Sequence, residues 1–420
     1  AAVPSYGDAI RLFREAWALA ELALGERREQ GPETRRLALR AALGISGAAI
    51  VYGDAGSERD EQATRAGIGL AEELHDDEAL AQLLVNYGIV VLNSARDRFA
   101  EGLELAERGV AVARRANLVA HLPKITRGLV WAYLLDARFE EARTQVDAVI
   151  DALVAAGHGA RNSEIYLGTR YFRNRVMFDS DQLDESEADA LDLYARASEA
   201  KNRTMISASA SMLAAVATAR GDSAKSEYWA ELGLPIAEQI QSLAAVRGSG
   251  AALLLARADR GERSATQVEL DRLEKGLFAS GDLGINSETI VEALLEVGEL
   301  RRARRIAEGR VERSGGRLRQ ARGALMTGMV ELAAGPEAYA EAERAFADAL
   351  ARAVGIRSRS VEGRAHLGLA ELAHQRGDVA AMERHARQAL AILRPLGFGR
   401  YAMRAARLLL ERLEGAPPNA

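Results

Sequence analysis

The sequence predicts an all-α chain, a right-handed superhelical solenoid of about nine to ten short helical hairpins, each burying its apolar side only against its neighbours. Three observations predict it. Aromatic residues make up 5% of the chain and only 8 of its 420 residues are proline, while Ala, Leu, Arg and Glu fill every stretch, which is the vocabulary of helices rather than strands. Turn-forming positions recur at near-constant spacing, and a small–large–small apolar pattern returns on alternate helices. A chain of this length with 48% apolar residues could make several domains or one array, so the internal period decides.

The turns fall at Gly53, Ala95, Ala137, Asp181, Gly221, Gly261, Gly298, Gly335 and Gly377, separated by 42, 42, 44, 40, 40, 37, 37 and 42 residues. Each turn should join a first helix to a second. The second helices carry the pattern A-x3-F-x2-A, in which the small residues let two helices approach and the large one fills the space between hairpins. Ala9, Phe13 and Ala16 match it, as do Ala342, Phe346 and Ala349, and Ala142, Val146 and Val149 form a conservative variant. The stretch Leu369 to Ala373, Gly377, Ala386, Ala389 and Pro395 forms another, with the proline where such a unit closes.

This is the pattern of tetratricopeptide-like hairpins, with a spacing longer than the roughly 34 residues of the standard unit and near that of HEAT units, which remain the alternative. The expected organisation is an opening or capping helix over 1–30, repeats over 31–395, a capping helix over 396–414 and a tail over 415–420. The chain starts at Ala1 without an initiator Met, so it is expected to be a piece of a longer protein.

Composition narrows the chemistry. No cysteine is present, which removes disulfides, thiolate metal sites and cysteine nucleophiles and suits a reducing, cytoplasmic setting. No signal segment or membrane-length apolar run is found. The net charge of −5 offers no general attraction to phosphate, so no membrane or direct nucleic-acid partner is expected. Four lysines against a large excess of Arg point to base composition of the genome rather than to function. Neither a nucleophile with its base nor a cofactor motif is found, so the chain is expected to be no enzyme and to hold no cofactor. Of the six histidines, His366 and His374 lie near one face of a helix and His385 on the next helix could approach; without an H-E-x-x-H string or nearby Asp or Cys, no metal is expected.

First helices should line the concave side of such an array. Asn86, Asn93, Lys124, Arg127, Trp131, Asn162, Tyr166 and Arg173 are the candidate partner-binding residues, because cations and amides beside aromatics suit a peptide carboxylate, an acidic segment or a small anionic effector. Part of this set is similar to the carboxylate clamp of chaperone-binding repeats, although Ala41 and Ile45 stand where a clamp needs polar groups. Arg301, Arg302, Arg304 and Arg305 open a basic run reaching Arg322 that could meet an acidic partner or form a solvated outer face.

The phrases Leu37 to Gly44, Gly69 to Leu80, Ala386 to Leu393 and Leu396 to Ala405 resemble the helical-repeat arm of large bacterial signal-transduction ATPases, those of maltose-activator or LuxR-type regulators and of ATPase-linked class III cyclases. That resemblance implies a sensor or interaction arm where inducers, inhibitory proteins or other subunits act. The phosphate-binding loop of those ATPases is missing: Gly221 to Ser226 is too short and sits at a repeat turn. A protein or peptide partner is therefore expected, with a homo-oligomeric scaffold as the alternative role and a helical-toroid enzyme behind it.

Overall fold

The computed structural model describes residues 6–25, 31–52, 58–94, 96–157, 163–240, 242–262, 268–270, 287–313 and 315–413. Among them every regular element is helical. In chain order these are α1 (Tyr6–Gly25), α2 (Pro32–Tyr52), α3 (Glu58–Glu73), α4 (Asp77–Ser94), α5 (Phe99–Arg115), α6 (Leu122–Leu135), α7 (Phe139–Ala155), α8 (Glu164–Asp179), α9 (Leu183–Glu199), α10 (Arg203–Arg220), α11 (Ser223–Gln239) and α12 (Leu243–Asp259). They continue as α13 (Ser287–Glu296), α14 (Leu300–Arg313), α15 (Arg317–Ala334), α16 (Tyr339–Ile356), α17 (Arg359–Gln375), α18 (Val379–Leu393) and α19 (Gly399–Leu413).

The expected turns are where the backbone reverses. Gly221, Gly261, Gly298, Gly335 and Gly377 have positive φ, and so do Ala137 and Asp181, at 57° and 67°. Gly53 and Ala95 lie outside the described residues. A left-handed residue ends a helix by folding its last carbonyls onto the turn, which glycine does without strain. The following helix is then nucleated by a side-chain cap: Asp222 accepts from Lys225 N and Asp378 from Ala381 N, a contribution of about 1 kcal/mol each. Gly221 to Ser226 is such a hairpin turn, with its glycine in the left-handed region.

Packing follows the hairpin rule. First helices pack on the second helices that follow them, as in α4 on α5, α10 on α11, α15 on α16 and α17 on α18, and first helices also lie beside first helices. Phe346 on α16 shows why the A-x3-F-x2-A pattern works: it is fully buried with Ala342 and Ala349, and its ring occupies the space that a Cβ on Gly328 of α15 or Gly368 of α17 would need. Ala142, Val146 and Val149 are likewise buried. In α1, Phe13 is 36% exposed but its ring occupies the space that a Cβ on Gly44 of α2 would need, while Trp17 and Ala20 enter the core with Ala38, Ala42 and Ile45 of α2.

The chain divides into two compact units, the first containing Ala1–Tyr133 and Glu140–Ala160 and the second Leu134–Phe139 together with the described residues from 163 onward. In the first, α2, α3 and α4 pack in succession and α4 packs on α5. In the second, the first helices α8, α10, α12, α13, α15, α17 and α19 form a continuous inner row, and α10 also meets α19.

The second unit closes on itself at regular intervals. Asp136 accepts from the backbone N of Arg317 at 3.2 Å and pairs with its guanidinium at 3.0 Å, and Asp181 accepts from Ser360 N at 3.0 Å. Both contacts put a hairpin turn against the N-terminus of a first helix roughly four and a half hairpins later, where a carboxylate meets unpaired amides and the positive end of the helix dipole. A Cβ on Gly316 would collide with the Leu135 carbonyl, and one on Gly399 with that of Arg220. Glycine at these two sites lets successive turns touch through their backbones.

Candidate functional site

In the first unit, adjacent first helices carry a row of polar side chains. Asn86 on α4 donates to Ser46 Oγ on α2 at 3.2 Å, and one turn earlier Gln82 accepts from Lys124 Nζ on α6 at 3.4 Å. Lys124 and Arg127 are exposed and Trp131 half-buried, while Ile125, Thr126, Leu129 and Val130 point into the core. Spacings of three and four residues place 124, 127 and 131 on one face of α6. Asn93 turns back on its own helix, donating to the Ile89 carbonyl at 2.9 Å. Ala41 and Ile45 are core residues, and Ser46 is the polar group α2 contributes.

The remaining candidates belong to the second unit. Tyr166 and Arg173 on α8 are half-buried, Tyr166 packing beside Leu167, Leu193 and Ala197; Asn162 lies outside the described residues. The expected group of eight is thus divided between the two units. The basic run divides as well: on α14, Arg301 and Arg305 are exposed, Arg302 pairs with Glu299 at 3.8 Å, and Arg304 pairs with Glu331 on α15 at 2.9 Å.

An ionic network that no sequence motif announces runs along the inner row of the second unit. Asp179 on α8 binds Arg175 at 2.8 Å and Arg322 on α15 at 3.0 Å, and Arg322 reaches Glu288 on α13 at 3.2 Å. Arg364 on α17 bridges Glu288 and Glu292, the latter at 2.6 Å, and its guanidinium lies 4.6 Å from the centre of the Tyr401 ring. Tyr401 donates to Glu292 at 2.9 Å, and Arg400 connects Glu292, at 3.4 Å, to Asp259 on α12 at 2.6 Å. Arg404 joins Glu371 at 2.8 Å, and Glu296 meets Arg400 only at 3.8 Å.

Charge balance explains how so many ions tolerate burial. Burial works against ionising Asp179, but Arg175 and Arg322 hold its carboxyl below the ordinary range. Burial likewise opposes the charge on Arg364, and Tyr401, Glu288 and Glu292 outweigh it and raise its pKa. The Tyr401 hydroxyl is pushed up by burial and remains a donor. Six carboxylates, on Asp179, Asp259, Glu288, Glu292, Glu296 and Glu371, stand against the five guanidiniums of Arg175, Arg322, Arg364, Arg400 and Arg404. One negative charge is in excess.

Beside this network opens a cavity of about 590 Å³ between α13, the end of α15, Tyr339, α17 and α19. Leu295, Met329, Leu332 and Leu408 are its large apolar lining residues, and Glu292, Glu296, Glu371, His374 and Arg404 are its charged and titratable ones. His366 and His385 sit elsewhere in the unit with their Nδ1 atoms 3.0 Å apart, so the approach of His385 falls on His366. Among the described residues no three His, Asp or Glu side chains group as a metal site, and no helix is long and apolar enough to cross a membrane.

No protein-family model matches the sequence, and no curated protein matches it significantly. Solved structures do. A Rap protein complexed with competence and sporulation factor superposes with a TM-score of 0.50 at 12% identity, over 91% of this chain and 97% of that one. The fold is that of a tetratricopeptide-like helical-repeat solenoid. The apo form of RapI (TM-score 0.41, 10% identity, 97% and 99% coverage) and yeast Tom70 (0.40, 10%, 96% and 93%) also match. At these identities the likeness of this helical-repeat chain to all three is one of fold alone.

Proposed function

We propose that this chain is a non-catalytic binding arm that takes a protein or peptide partner on its first helices, as the sensor or interaction arm of a bacterial signalling or transcriptional regulator. The observation that carries the proposal is the polar row on α2, α4 and α6, where exposed Lys124 and Arg127 stand beside half-buried Trp131 and the amides of Gln82 and Asn86. Two cations, amide donors and an aromatic face on rigid helices suit an acidic or carboxylate-bearing segment. The Rap structure that shares this fold was determined with competence and sporulation factor bound, which supports a binding role. The regulator context rests on the resemblance of the repeat phrases to arms of signal-transduction ATPases.

The test is capture of partners from an extract of the source organism, comparing the wild-type chain with a Lys124→Glu/Arg127→Glu variant. Loss of specific partners from the variant is expected; an identical captured set would remove this surface from the proposal.

One observation favours a second role, self-association. Leu12, Leu19 and Leu22 on α1 and Leu37 on α2 are all more than half exposed, and exposed apolar groups at helical spacing invite another helix. Sedimentation across a hundred-fold concentration range decides: a concentration-independent monomer excludes the scaffold.

A further inference from the structure

The cavity beside the ionic network carries an inference independent of the partner proposed above. Its volume lies within the range of small-molecule sites, about 300–1,000 Å³. Its apolar lining, Leu295, Met329, Leu332 and Leu408, asks for an aliphatic body. Its charged lining decides the sign of the ligand.

Glu292 is only 2% exposed, and its oxygens already take bonds from Tyr401 and Arg364 beside Arg400, so it forms the floor. Glu371 has Arg404. Glu296 is different: it is 46% exposed, lines the cavity, and meets its nearest cation, Arg400, only at 3.8 Å after that guanidinium has bound Asp259 and Glu292. The least tightly paired carboxylate of the network is therefore the one at the solvent side of the cavity. An anion there would meet Glu296 beside carboxylates already paired with Arg364, Arg400 and Arg404, whereas a cation would complete the balance.

We infer that this cavity binds an organic cation, an ammonium or guanidinium on an aliphatic stem, with the charge on Glu296 and the stem along Leu295, Met329, Leu332 and Leu408. Such a group can come as a free amine or as a basic side chain of a polypeptide. The sign is opposite to that expected for the first unit, where Lys124 and Arg127 project, so the two surfaces would select different ligands.

Ligand-observed NMR titration of the full chain with n-hexylammonium, n-hexanol and n-hexanoate tests the sign. Hexylammonium is expected to bind at least about ten-fold more tightly than hexanoate, with affinity falling as salt is raised. Glu296→Gln, at a half-exposed site, should leave the thermal midpoint unchanged and weaken hexylammonium about ten-fold. Ala333→Trp, at an exposed lining residue, should block the site without touching the core. Acetyl-Leu-Lys-Leu-amide against acetyl-Leu-Glu-Leu-amide identifies the source: a lysyl peptide tighter than the free amine assigns a polypeptide side chain, and the reverse assigns a small molecule. Equal binding of hexylammonium and hexanoate, absence of binding by both the amine and the lysyl peptide, or affinity unchanged in Glu296→Gln overturns the inference.

Discussion

The carboxylate of Asp181 accepts a hydrogen bond from the backbone amide of Ser360, 179 residues further along the chain, at 3.0 Å. Asp181 closes its own hairpin with a positive φ and caps the first turn of α17 at the same time. Asp181→Ala should lower the stability of the second unit by about 1–3 kcal/mol, because a helix amide loses its buried acceptor. Asp181→Asn, which keeps an acceptor, should cost less. Urea denaturation followed by circular dichroism measures both.

Phe346 is the wedge between α15 and α17. Phe346→Ala should cost about 3–5 kcal/mol through lost burial and the void left behind, and Phe346→Leu clearly less. Equal midpoints for the two variants in the same denaturation would contradict the wedge role.

Arg364 holds Glu288 and Glu292 together, and its removal leaves each of these buried carboxylates with a single guanidinium, Arg322 for Glu288 and Arg400 for Glu292. Arg364→Met should destabilise the second unit by about 3–5 kcal/mol. Adding 0.5 M sodium chloride should change that loss little, since screening acts weakly on buried pairs. A strong salt dependence would mean that the network is solvated.

His366 predicts a pH response. Burial first, then the neighbouring His385 and Arg359, lower its pKa from 6.5 to about 4. Burial and Arg384 lower that of His385 as well. The folded chain therefore keeps His366 neutral while the unfolded chain takes up a proton near pH 6.5. Stability should be full above pH 6.5 and decline as pH falls to about 4, by at most about 3 kcal/mol from this residue, then level off for it. His366→Gln should flatten that part of the stability–pH curve in denaturation series between pH 4 and 7; an unchanged slope would place its origin elsewhere.

Much of the fold is written locally. Gly221, Gly261, Gly298 and Gly377 announce turns because few other residues take a left-handed conformation cheaply, and the period carries the assignment to Ala137 and Asp181. Phe346 declares its register because small residues flank it on both sides of one face. The same pattern places Phe13 of α1 against Gly44 of α2, although Phe13 stays 36% exposed and the buried aromatic of that helix is Trp17. The ionic network was hidden because Asp179, Glu288, Arg322, Arg364 and Arg400 are far apart in sequence and look like ordinary solvated-face residues. What brings them together is the curvature of the second unit, a property of many hairpins that no single repeat encodes. One local signal existed: Glu288, Glu292 and Glu296 form an i,i+4 row on a short helix whose other residues are mainly apolar.

The contacts between turns about 180 residues apart have a consequence for how this chain can vary. In an ordinary helical-repeat array each unit answers only to its neighbours, so units can be gained or lost singly. Here Asp136 with Arg317, Asp181 with Ser360 and Arg220 with Gly399 act as teeth meshing across one full revolution. Removing one forty-residue hairpin between them would bring every later tooth against the wrong gap, so the number of hairpins per revolution is inherited as a set.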